Sequence, residues 1–290
     1  MRHLIAALLA FAPAVASAQT VPPLAVERVA PGVAVLHARG GNVMAFHGPE
    51  GALLVDDEFE PASSELATAV GALGSGPVRY VVNTHWHGDH TGANALLADR
   101  GAVTIAHHNA RRRMSSDQVI RGRTISPTSE EMRPRLTYDG DLTLHFNGEA
   151  IRVLHPPHAH TDGDSIVHLG RANVLVMGDI FFNRMLPFLD VAAGGSIDGL
   201  IAAVNGALEL ADEQTIIIPG HGEVGRKADL VAYRDMLVGL RSGVAAAIGQ
   251  RRSLDQIKQA RLADRYVTGL GWISPDELVE AIYSSLTSTG

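Results

Sequence analysis

Residues 80–94 read Tyr-Val-Val-Asn-Thr-His-Trp-His-Gly-Asp-His-Thr-Gly-Ala-Asn, and within them His85, His87, Asp89 and His90 fall inside six residues. The apolar run Val78 to Val82 leads in and predicts a buried strand; Ala93 to Arg100 leads out and predicts a short helix. The cluster therefore sits on a strand-to-helix loop, where a rigid scaffold can hold chemistry. In extended chain, residues two apart project the same way, so His85 and His87 offer two imidazoles to one side. A turn at Gly88 lets Asp89 and His90 reach a second point. This arrangement suits two metal ions better than one. A single histidine near a strand end is usually an ordinary polar residue; three histidines and a carboxylate beside a turn glycine carry a mechanism.

Composition removes several alternatives. The chain has no cysteine, which excludes disulfides, thiolate zinc sites and cysteine nucleophiles. Its formal net charge of -7 gives no reason to expect a nucleic-acid partner; a small-molecule substrate is expected. No Gly-x-Ser-x-Gly elbow, phosphate loop or Gly-x-Gly-x-x-Gly fingerprint is present. At the N-terminus, Arg2, the apolar Leu4 to Phe11 and the small residues Ala16-Ser17-Ala18 predict an export signal over residues 1–18. The apolar stretch is too short, and too interrupted by Pro13, to span a bilayer. The expectation is a mature chain of residues 19–290 in the periplasm or medium, with no stable membrane anchor once the signal is removed.

Along the chain, Val33 to His37, Asn42 to Phe46 and Ala52 to Val55 predict antiparallel strands separated by glycine-rich turns. Pro61 to Leu73 has helical spacing. Val103 to Ala106 predicts another strand, ending in His107-His108. Residues 109–135 are Arg- and Ser-rich; they predict a helical piece at Asn109 to Ser115, then an exposed loop that either borders a site or is a solvated insertion. Leu142 to Phe146 and Ile151 to Leu154 flank Asn147-Gly148 as a hairpin. Ser165 to Leu169, Val174 to Met177 and Thr215 to Ile218 predict strands, the second closed by Gly178-Asp179 and the third broken by Pro219. Ser196 is placed to cap a helix over Ile197 to Leu210, Leu230 to Ile248 space as a long helix, and Ser274-Pro275-Asp276-Glu277 is a capping box opening a helix to about Leu286. The order predicts an α+β class: two mixed sheets face to face with helices outside, in one domain.

Three further candidates, His160, Asp179 and His221, fall beside glycine- or proline-rich turns at the C-terminal ends of predicted strands. Zinc takes imidazole nitrogen and carboxylate oxygen, and catalytic sites keep a place for water. Sharing out the ligands gives His85, His87 and His160 to one ion and Asp89, His90 and His221 to the other. Asp179, with two oxygens, bridges them. Two zinc ions per chain roughly 3.5–4 Å apart would lower the pKa of a shared water.

His85-Trp-His-Gly-Asp-His90, His160 in Ala-His-Thr-Asp-Gly-Asp, Asp179 in Met-Gly-Asp and His221 in Pro-Gly-His-Gly together resemble the metallo-β-lactamase superfamily, in the family's order, over about residues 33–240. The resemblance implies a four-layer αββα sandwich with the metal site at one edge between the sheets, and it matches the ligand assignment position by position. Two departures matter. The best-known β-lactamase branch has a cysteine ligand, absent here, and Asp179 instead resembles the bridging aspartate of the glyoxalase and lactonase branches. Oxidoreductase relatives with a di-iron centre typically carry Glu at the position of His87, which favours zinc hydrolysis, although imidazole also accepts iron. Asp56 resembles the strand-end aspartate that holds the His85–His90 loop, with Asp57 as its rival.

Other residues carry weaker expectations. His158 competes with His160 as a ligand; the resemblance favours His160 and leaves His158 at the pocket wall or behind the ligands. His107 and His108 are expected at the surface or at a helix entry. Asn183 and Arg184 are candidates for binding a substrate carboxylate or polarising a carbonyl. The expected activity is a binuclear zinc hydrolase in which a bridging hydroxide attacks a carbonyl carbon, Asp89 and Asp179 orienting it and taking up its proton. A β-lactam is the first test substrate, with lactones, esters and thioesters next. An iron-dependent, sulfur dioxygenase-like oxidoreductase is the rival from another class, and a silent metal-binding module the third reading.

Overall fold

The computed structural model describes residues 24–288 apart from 75, 270 and 272; the expected signal, residues 1–18, lies outside the described residues. Fourteen strands are present among the described residues. The first six are β1 (Ala25–Ala30), β2 (Val33–His37), β3 (Asn42–Gly48), β4 (Gly51–Val55), β5 (Val78–Val82) and β6 (Val103–His107). They are followed by β7 (Gln118–Ile120), β8 (Arg123–Ile125), β9 (Leu136–Tyr138), β10 (Leu142–Phe146) and β11 (Glu149–Leu154). The last three are β12 (Ile166–Leu169), β13 (Val174–Phe182) and β14 (Ile216–His221). One sheet runs β1-β2-β3-β4-β5-β6-β9, antiparallel to β4 and parallel from there on. The second runs β10-β11-β12-β13-β14, with only its last pair parallel.

The period of two along each strand sorts side chains into layers. Val35, Met44, Leu53 and Val82 of the first sheet face Ile151, Val167, Val176 and Ile218 of the second, forming the core between the sheets. The alternate residues Leu36, Val43, Leu54 and Val81 turn outward against Leu66 and Val70 of helix α1 (Ser63–Gly71) and, beyond the short α2 (Gly88–Thr91), Leu97 of α3 (Asn94–Asp99). On the far side, after α4 (His108–Met114), Leu175, Met177 and Ile217 pack against α5 (Ile197–Leu210), α6 (Lys227–Gly249) and, past α7 (Leu254–Gln259), α8 (Pro275–Thr287). Helix, sheet, sheet, helix is the αββα sandwich expected.

Local differences have physical reasons. β1 is missed by the hydrophobic pattern because Ala25 to Arg28 are exposed on an edge strand. β13 continues past Met177 to Phe182 through register shifts around Gly178, so Asp179 lies inside a strand and not at its end. Pro219 does not break β14: it pairs with Gly178 on the outermost strand of its sheet, where a missing N–H is tolerated. Residues 109–135 hold α4 and a separate two-stranded hairpin, β7 with β8. No helix among the described residues is long and apolar enough to cross a membrane.

Leu169, fully buried between the sheets, tests this layering. Leu169→Ala is expected to cost about 2–5 kcal/mol, read as a lowered urea midpoint; an unchanged midpoint would mean that the sheets do not pack through this layer.

Candidate metal centre

Each sheet supplies part of the site at the same edge. β4 ends in Asp56-Asp57, β5 runs into His85–His90, the β11–β12 loop carries His160, and β13 and β14 carry Asp179 and His221. His85, His87, His160 and Asp179 offer ligand atoms that all lie within 4.8 Å of one another, and so do Asp89, His90 and His221. In the first group His87 Nδ1 is 2.9 Å from His85 Nε2 and 3.1 Å from His160 Nε2. Asp179 Oδ2 is 3.8 Å and 3.6 Å from those same two Nε2 atoms. Its other oxygen, Oδ1, faces the second group, 3.2 Å from His90 Nε2 and 3.1 Å from His221 Nε2. Asp89 Oδ2 stands 3.4 Å and 3.5 Å from the same pair.

The hydrogen bonds behind the imidazoles decide what they present in front. His160 Nδ1 bonds the Phe188 carbonyl at 2.8 Å, so it carries the proton and Nε2 points a lone pair inward. His87 Nε2 bonds Asp190 Oδ2 at 3.0 Å, which leaves Nδ1 as the inward lone pair. Thr84 Oγ1 donates to Asp56 Oδ2 and so accepts from His85 Nδ1, 3.1 Å away. Three lone pairs therefore converge, a repulsive arrangement unless a cation sits among them. His90 Nδ1 likewise bonds Asp56 Oδ2 at 2.7 Å and turns Nε2 toward carboxylates. His90 Nε2 and Asp179 Oδ1 are buried and, though 3.2 Å apart, make no well-directed hydrogen bond. Donors about 2.0–2.2 Å from a tetrahedral ion lie roughly 3.3–3.6 Å apart; Asp89 to His90 and His221 and Asp179 to His160 fall in that range at 3.4, 3.5 and 3.6 Å, while the His87 contacts to His85 and His160 are shorter at 2.9 and 3.1 Å. These residues fit a divalent metal, and with no thiolate among the donors the set is nitrogen and oxygen alone.

Electrostatics agree. Burial, with His90 next, pushes the His85 imidazolium well below its usual range, and burial brings His160 down to about 4; both stand neutral, as ligands must. Burial would raise the Asp179 carboxyl, but His221 and His90 outweigh it and hold it well below the carboxylate range. Burial opposes charge on His90 too, yet Asp89, Asp179 and Asp56 outweigh it and raise its imidazolium well above the usual range.

The backbone allows this crowding at two glycines. A Cβ on Gly220 would lie 2.1 Å from Asp179 Oδ1, and one on Gly178, at φ +49°, would lie 2.4 Å from Thr84 Oγ1. Asp56 itself sits at φ 62°, a left-handed geometry that aspartate tolerates. From there its carboxylate accepts Thr84 N at 2.6 Å as well as His90 Nδ1. Its rival Asp57 turns away and accepts Ala93 N at 3.0 Å; burial raises its carboxyl well above the usual range.

The remaining candidates separate. His158 is exposed and bonded to the Gly194 carbonyl at 3.0 Å, outside both ligand groups and off the pocket wall. His107 caps α4 and is buried, stacked on His155 at 3.6 Å, while His108 is an exposed helix residue. Asn183 Nδ2 bonds the Glu223 carbonyl, and Arg184 stands 3.6 Å from Glu223 and 3.7 Å from Asp229. Neither lines the pocket of about 420 Å³ over the ligands, so the carboxylate-binding expectation for this pair has no geometric support. Asp190 escaped the sequence reading because nothing in Leu-Asp-Val marks it; only the fold brings it to His87, 103 residues away. The 109–135 segment does border the site: Met114, Gln118, Ile120 and Met132 line the same pocket as His87, Asp89 and Asp179.

Comparison with known proteins agrees with this geometry. A hydroxyacylglutathione hydrolase from Nitrosococcus oceani is 30% identical over 169 residues, 56% of this chain and 56% of that protein. The chain thus spans about half the length of such curated relatives. A metallo-beta-lactamase type 2 from Bacillus cereus is 24% identical over 204 residues, 68% of this chain and 72% of that one. Among solved structures, a metallo-beta-lactamase from Pontibacter korlensis shares the fold at a TM-score of 0.61 and 19% identity, covering 74% of this chain and 98% of its own. The profile of the Metallo-beta-lactamase superfamily matches residues 38–221. With the sandwich, the ligand-type cluster and a matched profile over more than half its length, the chain belongs to the metallo-beta-lactamase superfamily.

Proposed function

We propose that this metallo-hydrolase is binuclear and zinc-dependent and cleaves a bond at a carbonyl carbon. One observation carries the reading: the two oxygens of Asp179 face different ligand groups, Oδ2 toward His85 and His160 and Oδ1 toward His90 and His221. His85, His87 and His160 would hold one ion and Asp89, His90 and His221 the other, with Asp179 placed to serve both. When bound, two zinc ions supply a water of lowered pKa and a Lewis acid for the carbonyl oxygen. The chain's own groups do the rest. Asp89 and Asp179, which line the pocket, orient the attacking water and accept its proton. Asp56 and Asp190 fix the ring orientations of His90 and His87 from behind.

A β-lactam amide is the first substrate to try. Thioesters, esters and lactones form the second reading, favoured by an aspartate and not a cysteine at the bridging position, and by the similarity to the Nitrosococcus oceani hydroxyacylglutathione hydrolase. The N-terminal pattern of Arg2, Leu4 to Phe11 and Ala16-Ser17-Ala18 supports export, with residues 19–290 as the working chain.

Metal analysis of purified protein is expected to find two zinc ions per chain, and chelation should abolish hydrolysis of a panel of β-lactams, homoserine lactones and acyl thioesters. Less than one metal per chain, or iron with oxygen consumption, would overturn the reading. Asp89→Ala and His160→Ala should each bring hydrolysis close to background; unchanged rates in both would remove these residues from the site. Asp190→Asn, which keeps the side chain's shape but weakens its hold on His87, should cost roughly 10–100-fold in zinc affinity or activity, measured by competition with a chromophoric chelator.

A further inference from the structure

The pocket of about 420 Å³ has His87, Asp89 and Asp179 at its floor and a wall to which the 109–135 segment contributes. Phe59, Trp86, Met114, Ile120, Ile125 and Phe188 make that wall largely apolar. Two of them come from the β7–β8 hairpin, a separate ribbon outside the main sheets. Gln118 and Ile120 line the pocket while Val119 between them is 51% exposed, the alternation of a strand lying over a cavity. Arg121, at the turn, pairs with Glu277 of α8 and ties the ribbon down.

The cations of the wall are already spoken for. Arg113 pairs with Asp162 at 2.7 Å and with Gln118 at 3.1 Å, and Arg121 pairs with Glu277. Several polar side chains are engaged with protein as well: Thr91 donates to the His87 carbonyl, Thr128 to that of Met114, and the Gln118 amide to Ser116. A carboxylate lodged against this wall would lose its water and gain no counter-charge there.

We infer that the part of the substrate seated in this pocket, beside the bond that is cleaved, is an uncharged, apolar acyl or ring group, and that the hairpin is the element that selects it. Placing the cleaved bond at the floor rests on the hydrolase function proposed above; the apolar recognition itself does not.

Two measurements separate the two claims. The neutral dye N-phenyl-1-naphthylamine is titrated into the purified chain, zinc-loaded and chelator-stripped, and displaced with 1-alkanols from butanol to octanol. Dye binding in both forms is expected, with displacement strengthening about fourfold per methylene until the pocket is full, the fold-change equivalent to ~0.8 kcal/mol. Ile120→Asp, which sets a carboxylate in the wall, should weaken dye binding at least tenfold while zinc content is retained. With the zinc-loaded chain, kcat/KM for p-nitrophenyl esters should climb from acetate to octanoate, and a terminal carboxylate on the acyl chain should cancel the gain. Dye binding that responds this way while no ester, lactone, thioester or β-lactam is cleaved keeps the inference and overturns the hydrolase. Hydrolysis indifferent to chain length and terminal charge, or dye affinity unchanged in Ile120→Asp, overturns the inference and leaves the hydrolase standing.

Discussion

Imidazole lone pairs aimed at one another are the constraint on which the rest of this structure depends. His85, His87 and His160 turn their basic nitrogens to a common point because each opposite nitrogen is held by a fixed partner: Thr84, Asp190 and the Phe188 carbonyl. Without a cation this costs free energy; with one it becomes coordination. The sheets, turns and glycines serve to bring those partners to one edge. Asp179 joins the two halves of the arrangement, since a carboxylate is the one side chain on hand that can present an oxygen to each ligand group at once.

Some of the strain and crowding serves the site directly. Asp56 adopts a left-handed backbone so that one carboxylate can hold Thr84 and His90 together. Buried atoms without a well-directed hydrogen bond at His90 and Asp179 would be a liability in an ordinary core. Both features fall at the centre and have a reason there. The strained residue sits where a second set of contacts over-determines its conformation.

Much of this was legible in the sequence, and the part that was not has a common cause. The His85–His90 cluster is local, so its spacing alone announced two ligand directions. His160, Asp179 and His221 were legible because glycines and prolines punctuate strand ends. The strand limits around Gly178 and Pro219 were misread for the same reason: both residues look like stops, yet one sits at a register shift and the other on an outermost strand. Asp190 carried no signal because its role depends on a contact 103 residues away. The β7–β8 hairpin leaves no mark in the pattern because strands of three residues are too short to show a period. Asn183 and Arg184 likewise meet tertiary partners, Glu223 and Asp229, that no local pattern links to them.

The division of the ligands between the sheets has a consequence for how the molecule comes into being. His85, His87, Asp89 and His90 follow β5 in the first sheet, whereas Asp179 and His221 lie on β13 and β14 of the second and His160 on the loop between two of its strands. Neither half alone assembles either ligand-type group. The chain must bring residues far apart in sequence into register before any ion can be held with full affinity. Both ligand-type groups are therefore complete only once the two sheets have met, and a half-assembled chain holds neither whole.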